Sequence, residues 1–170
     1  MSIAKFGHVS EKQYIQDMGE RQGYLPISEI PCPKRSTRGS AGYDFVSPVE
    51  TVIPAGGKAV IPTGIRCEME DGWVLMLFPR SGLGFKHQMR LSNTVGIIDS
   101  DYAFADNEGH IQVSLRNPMD RDLVIGKGER FCQGIFLQYG LAEEEENFGR
   151  RRGGMGSTGK ISLGTNEEKT

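Results

Sequence analysis

From Tyr24 to Tyr139 the chain is cut by Gly, Pro, Asn and Asp at intervals of about ten residues, and no stretch holds a helical period over three turns. Punctuation that dense leaves room for short strands and little else. Many short strands need their edges covered, which favours a closed barrel or jelly roll over an open sheet. The spacing predicts strands over Tyr24–Ile30, Gly42–Ser47, Lys58–Pro62, Ile65–Met69, Gly72–Phe78, His110–Arg116, Asp122–Ile125 and Phe131–Tyr139. Pro54-Ala55-Gly56-Gly57 and Glu70-Asp71-Gly72 supply turns that tolerate positive φ. Ile111-Gln112-Val113-Ser114-Leu115 alternates as a strand with one wet face should. A short helix fits only Ser81–His87.

The two ends differ from this middle. Residues 1–23 are polar with scattered Tyr14, Ile15 and Met18, and form either a short helix or a loose arm. Residues 143–170 open with acids from Glu143 to Glu146, pass through Arg150-Arg151-Arg152, and reach Gly153-Gly154-Met155-Gly156-Ser157-Thr158-Gly159. So much glycine cannot make a strand core or a helix. The segment reads as a solubilising tail, or as a lid whose N–H groups and hydroxyls close around an anion. The organisation is thus an arm (1–23), a β domain (24–142) and a tail (143–170).

At 170 residues the chain suits one domain. Its 37% apolar share is low for a compact monomer and suggests a tail or a core shared between subunits. A net charge of −2 argues against general attraction to nucleic acid or anionic membrane, and no apolar run is long enough to cross a bilayer. Cys32, Cys67 and Cys132 show no metal or disulfide spacing and read as reduced thiols in the cytoplasm.

Five segments carry chemistry. Ala41-Gly42-Tyr43-Asp44 opens a strand with a carboxylate. Pro79-Arg80-Ser81-Gly82-Leu83 leaves an apolar strand with a guanidinium and a hydroxyl at the turn. Asn93-Thr94-Val95-Gly96-Ile97-Ile98-Asp99-Ser100-Asp101-Tyr102 reads as a hairpin followed by two acids and an aromatic. Gly128-Glu129-Arg130-Phe131-Cys132-Gln133 enters the last strand, and the glycine-rich tail is the fifth. Singly each has a plain explanation: Asp44 as a turn cap, Arg80 as a salt-bridge partner, Asp99 and Asp101 as solvated loop acids.

Together, in this order and spacing, they resemble the five motifs of the trimeric dUTPase family, from about Tyr24 to Gly159. The resemblance implies an all-β, jelly-roll-like barrel, a homotrimer with active sites shared between subunits, Mg²⁺ as cofactor, and hydrolysis of dUTP to dUMP and pyrophosphate. It implies that Asp99 is the general base for the water that attacks the α-phosphorus. Arg80, Ser81, Gly82 and Gln133 would hold phosphates, and Arg150, Gly156, Ser157 and Thr158 of the tail would close over them. Asn93, Gly96, Ile98 and Tyr102 would receive uracil and deoxyribose, with Met155 covering the base. Asp44 would meet the metal through water, and Arg130 would support Asp44.

Two positions depart from the family pattern. Met155 stands where the family usually has Phe, and lacks the planar π surface that stacks on uracil. Ala103 to Gly109 intervenes after Tyr102, either as a tolerated surface insertion or as a source of charge from Asp106 or Glu108 near the pocket or a subunit contact. Two other functions suit the same fold: a dCTP deaminase or deaminase–diphosphatase, and a nucleotide-sensing regulator with a protein partner.

Overall fold

The computed structural model describes residues 2–143. Among them the strands are β1 (Ala4–His8), β2 (Lys34–Arg35), β3 (Tyr43–Val46), β4 (Thr51–Ile53), β5 (Lys58–Pro62), β6 (Ile65–Met69), β7 (Trp73–Pro79), β8 (Arg90–Leu91), β9 (Gly96–Ile98), β10 (Gln112–Arg116), β11 (Leu123–Ile125) and β12 (Arg130–Gln138). The helices are α1 (Glu11–Met18) and α2 (Ser81–His87), with 3-10 turns at Ile27–Glu29 and Ser100–Phe104. The fold is all-β, as the turn spacing requires. No helix of the described residues is long and apolar enough to cross a membrane.

Every ladder is antiparallel. The largest sheet has the order β2-β3-β12-β7-β9, and smaller ones pair β5-β10-β8, β1-β6 and β11-β4. Nearly all of them send side chains into one core: Phe45, Ile53, Ile61, Ile65, Leu75, Val113, Ile125 and Phe131 are buried. Each such side chain contributes about 1.5–3 kcal/mol by leaving water. Period-two alternation carries this through β10, where Val113 and Leu115 face inward while Gln112 and Ser114 stay half-exposed.

Lys58–Pro62, Ile65–Met69 and the helix Ser81–His87 form where the sequence places them. Tyr24–Ile30 does not form a strand. Pro26 has no N–H to give a ladder, and the segment turns as 3-10 helix at Ile27–Glu29. It is held by Leu25 N–H to Pro48 O at 2.8 Å and by Tyr14 Oη to Leu25 O at 2.9 Å.

Described residues before Tyr24 pack onto the same core. Strand β1 pairs with β6 from Ala4↔Met69 to His8↔Ile65. In α1, Ser10 Oγ caps the helix by accepting the Gln13 N–H at 3.1 Å, and Gly19 ends it at φ 59°. Tyr14 and Met18, one turn apart on one face, are fully buried. Of the two readings of this segment, helix or loose arm, the helix is the one observed.

Candidate active site

Two clusters of functional side chains form, one where β3 and β12 flank β7 and one on its β9 side. The first lies where β3, β12 and β7 run side by side. Register sets Gln133 of β12 beside Asp44 of β3 and Phe78 of β7. The chain then leaves β7 at Arg80, whose carbonyl accepts the N–H groups of Leu83 and Gly84 at 3.0 Å each. This closes the turn into α2 and leaves Ser81 and Gly82 exposed at its start.

Asp44 is the hub of this cluster. Its Oδ1 lies 3.1 Å from Arg80 Nε, and its Oδ2 lies 3.1 Å from an Arg130 terminal nitrogen. Ser36 Oγ donates to the same Oδ2 at 2.8 Å and accepts from Arg130 at 3.1 Å. A carboxylate placed between two guanidiniums fixes both forks in place. Gln133 Nε2 donates to Pro79 O at 3.3 Å. Its carboxamide lies against Gly42, where any Cβ would overlap Gln133 Oε1. The glycine of Ala41-Gly42-Tyr43-Asp44 is therefore needed for the close approach of Gln133.

The second cluster is a cavity of about 460 Å³ between β9, β8 and β10. Asn93, Gly96, Ile98 and Tyr102 all line it, with Leu77 and Leu91 as apolar floor and Gln112 and Ser114 as polar wall. Asn93 is exposed at the mouth, and Tyr102 is 3% exposed. Asp99 follows Ile98, is half-buried, and begins the Ser100–Phe104 turn. Its carbonyl accepts the Tyr102 N–H at 3.2 Å.

Within one chain Asp99 and Arg80 lie at different levels of β7. Ile98, next to Asp99, pairs with Leu75 near the start of β7, whereas Arg80 follows Pro79 at its end. At about 3.3 Å per residue, Asp99 and Arg80 are separated by on the order of 17–20 Å along the strand. Arg150, Met155, Gly156, Ser157 and Thr158 lie outside the described residues.

Sequence reasoning missed Ser36, whose polar loop carries no distinguishing local signal. It also missed Gln112 and Ser114, although the alternation in β10 already set them on the face away from the core. The segment after Tyr102 shows how its charge is used: Glu108 accepts Ser10 N–H at 2.6 Å and Ser10 Oγ at 2.7 Å, which holds its carboxyl below the usual range. Asp106 stays exposed. Among the described residues no group of three or more His, Cys, Asp or Glu could hold a metal ion.

A family model for dUTPase matches residues 28–159. The deoxyuridine 5′-triphosphate nucleotidohydrolase of Lactococcus lactis is 46% identical over 134 residues, which is 76% of this chain and 89% of that protein. The enzyme of the same name from Shewanella baltica is 39% identical over 140 residues, 78% of this chain and 89% of its own. The crystal structure of the dUTPase from Streptococcus mutans superposes with a TM-score of 0.67 at 35% identity, covering 82% of this chain and 98% of that one.

Proposed function

The chain belongs to the dUTPase family and hydrolyses dUTP to dUMP and pyrophosphate; we propose that it does so at sites assembled between the subunits of a homotrimer. The observation that carries this reading is the separation of Asp99 from Arg80 along β7. In a cyclic assembly the nucleoside cavity and Asp99 of one chain meet Arg80, Ser81 and Gln133 of another.

The nucleoside enters the cavity lined by Asn93, Gly96 and Ile98. Asn93 and backbone groups there offer both donors and acceptors, suited to the uracil edge. Cytosine, with its donor pattern reversed, leaves buried groups unpaired. The ring of Tyr102 forms the wall for the deoxyribose and crowds a 2′-hydroxyl. Asp99 accepts a proton from water, and the water attacks the α-phosphorus in line while the bond to the β-phosphate bridging oxygen breaks.

Charge builds on the departing pyrophosphate, where Arg80 and the exposed Ser81 hydroxyl and Gly82 N–H donate to it, with Gln133 beside them. Arg130 acts through Asp44, holding the carboxylate that orients Arg80. Arg150 and the Gly156, Ser157 and Thr158 donors close over the phosphates, and Met155 covers the base. Closure shuts out bulk water while the one attacking molecule stays beside Asp99.

The cofactor proposed is Mg²⁺, which Asp44 would meet through water rather than directly. Asp44 is the acid nearest the phosphate-binding arginine, and an ion that keeps most of its waters and binds chiefly to phosphate oxygens needs few protein ligands. When bound it neutralises phosphate charge. The compartment assigned is the cytoplasm, which suits free Cys32, Cys67 and Cys132.

The test is pyrophosphate release from dUTP with Mg²⁺, beside dCTP, dTTP and UTP, for the parent and Asp99→Asn. Turnover of dUTP alone, lost in the variant, is expected. Ammonia release from dCTP, or full activity of the variant, would overturn the assignment.

A further inference from the structure

Helix α1 lies before the family match begins at residue 28, yet it reaches the loop that carries Tyr102. The Asp17 carboxylate, also receiving Gln13 Nε2 at 2.8 Å, is hydrogen-bonded to His110 Nδ1. On the other side of the ring, Gly64 N–H donates to His110 Nε2 at 2.8 Å. A backbone N–H can only donate, so Nε2 is the acceptor and the imidazole proton sits on Nδ1, facing Asp17. The imidazole is fully buried and locked between two partners.

The carbonyl of that same His110 accepts the Tyr102 hydroxyl at 2.8 Å, and Asn107 Nδ2 donates to the Tyr102 oxygen at 2.9 Å. A second tether joins the helix cap to the loop, since Ser10 gives both its N–H and its hydroxyl to Glu108. The N-terminal segment and the extra residues after Tyr102 are thus two halves of one device. Their common endpoint is the aromatic wall of the nucleoside cavity.

We propose that α1 is a positioning element for sugar selection: Asp17 and His110, with the Ser10–Glu108 tether, hold Tyr102 where it excludes a 2′-hydroxyl. This rests on the reading above that Tyr102 meets the deoxyribose. A ring that must distinguish one hydroxyl from hydrogen has little positional latitude. Releasing one tether moves the loop without removing the ring.

The experiment measures kcat/KM for dUTP and for UTP on the full chain. In Asp17→Ala the dUTP/UTP ratio is expected to fall by roughly tenfold or more, with KM for dUTP raised and its kcat changed less. Asp17→Asn keeps an acceptor for Nδ1–H and restores most of the ratio. Ile53→Ala, in the core at the end of β4, lowers the melting temperature while leaving the ratio alone. If Asp17→Ala does not assemble, Ser10→Ala at the exposed end of the device is the folded variant, and its ratio falls in the same direction. A ratio unchanged in these variants, while Tyr102→Ala lowers it, overturns the positioning role and spares the reading of Tyr102. A ratio unchanged in Tyr102→Ala removes that reading and the proposal with it.

Discussion

Gly109→Ala is the single change that should do most harm for its size. Gly109 sits at φ +71°, a conformation open to glycine at no cost and unfavourable for alanine by roughly 1–2 kcal/mol. An added Cβ would also lie 2.6 Å from Ala103 Cα and 2.7 Å from Tyr102 O. Both are backbone atoms, so no side-chain rotation relieves them, and such overpacking adds about 1–3 kcal/mol. The combined loss of about 2–5 kcal/mol corresponds to a melting temperature lower by roughly 5–15 °C in a domain of this size. The clash lies directly against Tyr102 and Ala103, so the loop must move and KM for dUTP must rise as well. Thermal unfolding at fixed protein concentration, with steady-state kinetics beside it, reads both effects. A variant melting within a degree of the parent with an unchanged KM would refute the argument.

Gly42→Ala tests the opposite case, because the Cβ there meets the side chain of Gln133 rather than backbone. Melting should change little, while kcat/KM for dUTP falls by roughly three- to tenfold, the worth of one displaced hydrogen bond; equal kinetics would show that Gln133 is not needed where it lies. Acid should destabilise the fold through His110, whose burial outweighs the pull of Asp17 and holds its pKa below the ordinary value. The unfolded chain then binds more protons as pH falls below about 6.5, so this group's stability contribution is present above that value and declines below it, with a limiting slope of about 1.4 kcal/mol per pH unit. Melting curves from about pH 7.5 to 5.5 should show the decline, reduced in His110→Gln; an identical slope in the variant would place its origin elsewhere.

Much of the fold was legible because local pattern and global burial agree. Lys58–Pro62 and Ile65–Met69 are bounded by turns and supply Ile61, Ile65 and Cys67 to the core. Tyr24–Ile30 has strand-like composition, and Pro26 defeats it. Strands β2 and β8 are too short to show any alternation, so only their partners Asp44, Tyr43, Leu115 and Arg116 define them. The cluster of Arg80, Asp44, Arg130 and Gln133 follows from motifs that become neighbours only once β3, β12 and β7 pair. Contacts such as Asp17 to His110 join residues far apart in sequence between groups with no local signature. No spacing rule reaches them.

The shared site is tested most directly by mixing two inactive proteins, Asp99→Asn and Arg80→Ala, and letting them assemble together. If Asp99 and Arg80 serve one dUTP from different chains, some sites in mixed trimers receive both intact residues, and roughly a quarter of the parent's activity should return. If one chain supplies both residues to the same site, every site lacks one of them. The mixture would then stay as inactive as its components, and the reading of a site assembled between subunits would be wrong.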